Sequence, residues 1–94
     1  MPNQSLASQR TAFSRHAIVR MQQRSIPTAA VDLLLDFAQA TPVGGGAISY
    51  RFTQDSWDIA MSVLGDAAPA FRRYRNAYVI EGRDGVVVTA AWLY

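Results

Sequence analysis

Ninety-four residues and 10.3 kDa hold one small domain and exclude a two-domain enzyme. Half of the residues are hydrophobic and the mean hydropathy is +0.02, so the chain can bury a core. The lack of cysteine excludes a disulfide framework, a thiolate nucleophile and a Cys-containing metal site, and a single histidine leaves too little for structural zinc.

The net charge of +2 is unevenly spread. Residues 1–31 carry four arginines and no acid, residues 32–70 one arginine against five aspartates, and residues 71–94 four arginines against Glu81 and Asp84. All nine basic residues are arginine, the side chain suited to bidentate phosphate contacts and to stacking on bases. Two basic segments around an acidic one are compatible with a nucleic-acid face, although an arginine bias of the genome gives the same count. No apolar run approaches the ~20 residues that cross a bilayer, and MPNQSLASQR has no basic region followed by an apolar one. A cytoplasmic protein without a membrane partner is expected.

Residues 1–12 are polar and aperiodic and are expected to form a flexible N-terminal extension ahead of a single domain over 13–94. Ser14 is suited to cap a first helix from Arg15 to Arg24, with Ala17, Ile18 and Met21 as its apolar stripe. Pro27 lies near the start of a second helix reaching about Ala40, where Val31, Leu34, Leu35 and Ala38 follow the helical period and Asp32, Asp36 and Gln39 take the other side. Ile26, in the short link, is expected in the core. Thr41-Pro42 and Gly44-Gly45-Gly46 favour neither helix nor strand and read as a flexible connector.

Period-two alternation then predicts a strand over Ile48, Tyr50 and Phe52, a turn at Gln54-Asp55-Ser56, and a second strand over Trp57, Ile59, Met61 and Val63. Gly65 to Pro69 reads as a loop. Phe71 to Glu81 fits either one long strand or a helical turn leading into a strand from Ala77. Gly82-Arg83-Asp84-Gly85 is a hairpin turn, and Val86 to Leu93 is an apolar, β-branched run suited to a central strand. The fold class is therefore α+β: two N-terminal helices on a roughly four-stranded, mainly antiparallel sheet. Tyr50, Trp57 and Trp92 are expected to anchor its core.

His16, Arg20 and Arg24 recur at i, i+4 and i+8, within an arc of about 80° and a stripe some ~12 Å long, and Gln23 joins them. An imidazole can act as a general acid or base near neutrality, and adjacent guanidinium groups offer donors to a phosphate. That combination suits metal-independent phosphodiester cleavage, with the base taking a ribose 2′-hydroxyl proton. By spacing alone, arginines that coat a solvated helix face and pair with Asp32 or Asp36 are the simpler reading of the same residues. A second basic group, Arg72, Arg73 and Arg75 with Tyr74 and Tyr78 interleaved, suits phosphate holding and base stacking, or else a charge-protected edge strand. In an extended segment Arg73 and Arg75 share a face and Arg72 takes the other. Asp32 and Asp36 find no third carboxylate in helical register, and neither a metal nor a cofactor is expected.

The stretch FSRHAIVRMQQRSI, residues 13–26, resembles the opening of the small bacterial protein family labelled DUF4258, whose pattern is roughly S-x-H-A-x-x-R-M-x-x-R-x-I. Ser14, His16, Ala17, Arg20, Met21, Arg24 and Ile26 fall on it, and DGVVVT, residues 84–89, resembles its closing strand. The family usually has Gly where this chain has Ser25, and a Ser followed by acidic residues where it has Pro27-Thr28-Ala29-Ala30. Residues 41–80 match only loosely. The resemblance implies a fold like that of the RelE/ParE toxin group, whose members include ribonucleases and toxins acting on DNA gyrase.

The stripe suits RNA binding and metal-independent cleavage, and the resemblance implies the RelE-like toxin type, so a metal-independent ribonuclease of that type is expected. His16 would be the acid/base, Arg20 and Arg24 the phosphate clamp, and Arg73, Arg75 and Tyr74 a second RNA contact. The alternative is a non-catalytic module that docks on a protein partner, as a toxin docks on its antitoxin. Edge-to-edge pairing of the apolar terminal strand would give a homodimer.

Overall fold

A computed structural model of the chain describes residues 11–93. In chain order its elements are β1 (Ala12–Phe13), α1 (Arg15–Gln23), α2 (Thr28–Phe37), β2 (Gln39–Gly44), β3 (Ala47–Arg51), α3 (Gln54–Leu64), a 3-10 segment (Gly65–Tyr74), β4 (Ala77–Glu81) and β5 (Val86–Trp92). The α+β class expected from sequence is what the chain adopts, but with three α-helices and a five-stranded mixed sheet. The strand order is β1-β5-β4-β3-β2, with β1 parallel to β5 and every other pair antiparallel. Residues 1–10 of the expected extension lie outside the described residues, whereas Ala12 already pairs with Val86 in β1.

Helix α1 begins where its cap requires: the Ser14 Oγ accepts a hydrogen bond from the Ala17 N–H at 3.0 Å. It ends in a Schellman motif, in which the Ile26 N–H donates to the Met21 carbonyl at 2.9 Å and the Ser25 N–H to the Gln22 carbonyl at 3.3 Å. That closure turns the chain and sends Ile26 into the core beside Met21, as the sequence predicts for Ile26. Ala17 and Met21 are buried against β5, but Ile18, assigned to the same stripe, is 45% exposed.

Helix α2 buries Ala30, Val31, Leu33 and Leu34 and packs on β4, β3 and α3. It stops at Phe37, three residues short of expectation, and Gln39–Gly44 becomes a strand despite Pro42. A proline has no N–H to donate, and β2 accommodates one because it is the edge strand. The three glycines are therefore not a helix-to-strand connector but the turn of the β2–β3 hairpin, with φ of 99°, 63° and 82°, which side-chain-bearing residues rarely adopt. A Cβ on Gly46 would also lie 2.7 Å from the Arg83 Cβ.

The largest departure is α3. Residues 54–64 form a helix where sequence alternation predicts a turn and a strand. Thr53 and Ser56 make a reciprocal capping box, with the Thr53 Oγ1 accepting from the Ser56 N–H at 3.1 Å and the Ser56 Oγ accepting from the Thr53 N–H at 2.9 Å. Trp57, Ala60, Met61 and Leu64 then pack inward at i, i+3, i+4 and i+7, while Ile59 and Val63, two members of the alternating set, are 57% and 65% exposed. The Gly65 to Pro69 loop is likewise replaced by the 3-10 segment, which runs to Tyr74. Of the two readings of Phe71 to Glu81, the structure adopts the helical turn followed by a strand. The roughly four-stranded layout gives way to five strands because β1 and β2 flank the three predicted ones and the Trp57–Val63 strand is absent.

Strand β5 lies inside the sheet, with β4 along one side and β1 beside Val86 and Val87 on the other. The strand expected to offer an edge for dimerisation is thus interior there. One core cluster unites Val79 and Ala77 of β4 with Val87 and Ala90 of β5 and with the inward residues of all three helices. Tyr50, Trp57 and Trp92 pack half-buried against it. No helix among the described residues is long and apolar enough to cross a membrane.

Candidate functional site

The helical period places His16, Arg20 and Gln23 on one exposed side of α1, and the side chains meet there. The Arg20 Nε donates to the His16 Nε2 at 3.3 Å, and the Arg20 Nη1 donates to the Gln23 Oε1 at 3.4 Å. In this contact the His16 Nε2 faces the guanidinium as the acceptor. His16 and Gln23 are exposed and Arg20 is half-buried, so a large anion can reach the cluster without displacing any packed residue. What the arrangement supplies is one proton acceptor, one guanidinium and one amide, adjacent on a rigid element.

Arg24, on the same stripe by spacing, is committed elsewhere. Its Nη1 donates to the Ala90 carbonyl at 2.9 Å, and its own carbonyl accepts from the Trp92 indole Nε1 at 2.9 Å. At i+8 the stripe has drifted about 80° toward the sheet, which brings the guanidinium over β5 and away from the exposed cluster. It joins α1 to the sheet from both its ends.

The second basic group is divided as well. The Arg75 Nη1 donates to the Phe52 carbonyl at 3.2 Å, and its guanidinium lies 5.8 Å from the centroid of the Trp57 ring, which itself meets Phe52 edge to face at 4.9 Å. Arg75 therefore ties the start of β4 to the start of α3. Tyr74 is stacked near-parallel on Trp92 with centroids 6.0 Å apart, so one of its faces is taken. Arg73 is exposed, 5.5 Å from the Tyr74 centroid. Arg72 is exposed too, and the 3-10 turn gathers the segment more closely than a strand would.

Arg73 and Tyr74 border a groove of about 600 Å³ whose other walls include Phe13, Ile18, Met21 and Ile26. On α1 its lining positions are 18, 21 and 22, about half a turn around the helix from His16, Arg20 and Gln23, and Ser25 follows them just past the helix end. The six residues singled out from sequence thus fall into three places: the exposed His16–Arg20 pair, the structural ties of Arg24 and Arg75, and the groove at Arg73 and Tyr74. The groove is not legible in the sequence. Its two sides lie nearly fifty positions apart, and the one hint is Ile18, which periodicity assigns to the core.

Two ionisable groups are displaced from their ordinary ranges. Partial burial, and then the neighbouring Asp32 charge, push the Asp36 carboxyl up. Burial also pushes the Tyr50 phenol up, reinforced by the charge of Glu81, whose Oε1 accepts a hydrogen bond from the Tyr50 hydroxyl at 3.1 Å. Among the described residues, no three of His, Cys, Asp and Glu come together as a metal-holding group. Comparison with family models, with curated proteins and with solved structures finds no match to this chain.

Proposed function

We propose that this chain binds RNA and cleaves its backbone without a metal ion, as a ribonuclease of the RelE-like toxin type, with His16 and Arg20 as the reacting pair. The observation that carries this reading is the 3.3 Å contact between the Arg20 Nε and the His16 Nε2 on an exposed helix face. The likeness of residues 13–26 to the DUF4258 pattern is its second support. A phosphate arriving at the pair offers the guanidinium a better acceptor than a neutral imidazole does, because both partners are then charged. Arg20 turns to the non-bridging oxygens and the His16 Nε2 is released as a base.

The Nε2 lone pair takes the proton of the ribose 2′-hydroxyl. The 2′-oxygen bonds to phosphorus as the bond to the 5′-oxygen breaks, the 5′-oxygen takes a proton from solvent, and a 2′,3′-cyclic phosphate and a 5′-hydroxyl remain. Arg20 stabilises the extra negative charge of the phosphorane, and the Gln23 amide is a neutral donor beside it. Arg24 and Arg75 are absent from this scheme because both guanidinium groups already serve backbone carbonyls.

General acid–base catalysis contributes about 10²–10⁴-fold in rate, so His16→Gln and His16→Ala should each lower cleavage of a single-stranded RNA in EDTA by at least about a hundredfold. Equal cleavage by parent and variants would remove His16 from the mechanism, and intact RNA with the parent would remove the enzymatic reading.

A second reading, a non-catalytic module docking on a protein partner, is favoured by Ile59 and Val63, exposed one turn apart on the outer side of α3. Salt separates the two. Binding of an RNA phosphate by Arg20 should weaken as salt rises, whereas docking of an apolar face should change little.

A further inference from the structure

The groove on the other side of α1 has its own chemistry. Phe13, Ile18, Met21, Ile26 and Tyr74 give it apolar walls, and Arg73 is the one charged residue lining it among the described residues. Among the described residues no carboxylate lines it, and Arg73 pairs with none. Its guanidinium is instead held beside the Tyr74 ring, 5.5 Å from the centroid, which fixes the cation at the groove while leaving its N–H groups available. At about 600 Å³ the space matches the volumes of small-molecule sites, which are mostly apolar with a few polar groups that set orientation.

We infer that the groove binds an amphiphilic anion, a medium-chain carboxylate whose aliphatic body lies along Phe13, Ile18, Met21 and Ile26 and whose head group pairs with Arg73. The commitment to an anion rests on charge complementarity: one guanidinium fork, with no acid among the described lining residues, matches one planar carboxylate. The commitment to an aliphatic body rests on the walls. Partly exposed apolar side chains such as Ile18 gain by leaving water when a chain covers them. The site is independent of the RNA reading, because His16 and Arg20 face away from it.

Amide chemical shifts of the labelled protein, titrated with decanoate below its micelle concentration, test the inference. Saturable shifts should centre on Ile18, Ser25 and Tyr74. Decanol should bind about tenfold more weakly, decyltrimethylammonium more weakly still, and acetate should shift nothing. Arg73→Gln, at an exposed position, should lower decanoate affinity about tenfold and leave decanol unchanged, while Ile18→Asn should weaken both. Equal affinity for decanoate and decanol, an Arg73→Gln variant that binds decanoate as the parent does, or shifts spread over other surfaces would overturn the assignment. So would shifts of the same amides on raising protein concentration alone, which would give the groove to a second copy. A Glu/Leu peptide that moves those amides where decanoate does not would give it to a protein partner, and would equally overturn the carboxylate.

Discussion

Ser25 holds a φ of 56°, the only left-handed backbone among the described non-glycine residues. The position is the one after the α1 cap, where the Schellman motif requires that conformation and where glycine adopts it without a clash between Cβ and the carbonyl. The serine is therefore a local strain, offset by the two closing hydrogen bonds and by burial of Ile26. Ser25→Gly removes a strain of ~1–2 kcal/mol and adds some freedom to the unfolded chain, which opposes it by less. The expected outcome is a gain of up to about 1 kcal/mol, read as a higher urea midpoint at unchanged slope. No gain would mean that the Ser25 backbone is relaxed. Residue-level signals of this kind were the most legible in the sequence: the Ser14 cap, buried Ile26 and the Gly82 to Gly85 turn all depend on neighbours a few positions away.

Elements were legible where one period dominated and illegible where two competed. Residues 57–64 contain both patterns: Trp57, Ile59, Met61 and Val63 satisfy alternation, and Trp57, Ala60, Met61 and Leu64 satisfy the helix. The capping box decides between them, because it satisfies two amides at the N-terminus that a strand would have sent to a neighbour. Thr53→Ala removes the hydroxyl that accepts from the Ser56 N–H, and loss of such a cap costs about 0.5–2 kcal/mol. Because α3 packs on α2 and on the 3-10 segment, fraying at its start should reach both. Hydrogen exchange should therefore quicken over residues 54–58 in Thr53→Ala and not over β5. Unchanged exchange there would show that packing of Trp57, and not the cap, holds the helix start. The β2 strand was hidden for a different reason: Pro42 and three glycines are poor strand formers, and only the neighbouring β3 and the edge position make a strand of them.

At the scale of the whole molecule the question is what joins the first helix to the sheet, and the answer runs through one arginine. Among the described residues β1 covers β5 only at Val86 and Val87, and beyond that point the side of β5 away from β4 has no strand partner there. Arg24 reaches across and gives the Ala90 carbonyl a charged donor at 2.9 Å, while Trp92 returns a hydrogen bond to the Arg24 carbonyl. No local pattern could reveal this, since donor and acceptor are 66 positions apart and spacing alone makes Arg24 the equal of Arg20. The two arginines should separate on substitution. A hydrogen bond from a charged group contributes about 1.5–3 kcal/mol, and a partly buried carbonyl left without a donor adds to the loss. Arg24→Met should therefore lower folding stability by that order, a large share of the ~5–15 kcal/mol typical of a domain. Arg20→Met, whose contacts are exposed, should stay within about 0.5 kcal/mol while weakening RNA binding. Urea denaturation of both variants, set beside their RNA affinities, reads the contrast directly. Equal destabilisation by the two would mean that the exposed pair is structural and that the stripe works as a unit; a stable Arg24→Met that loses RNA binding would return Arg24 to the phosphate clamp.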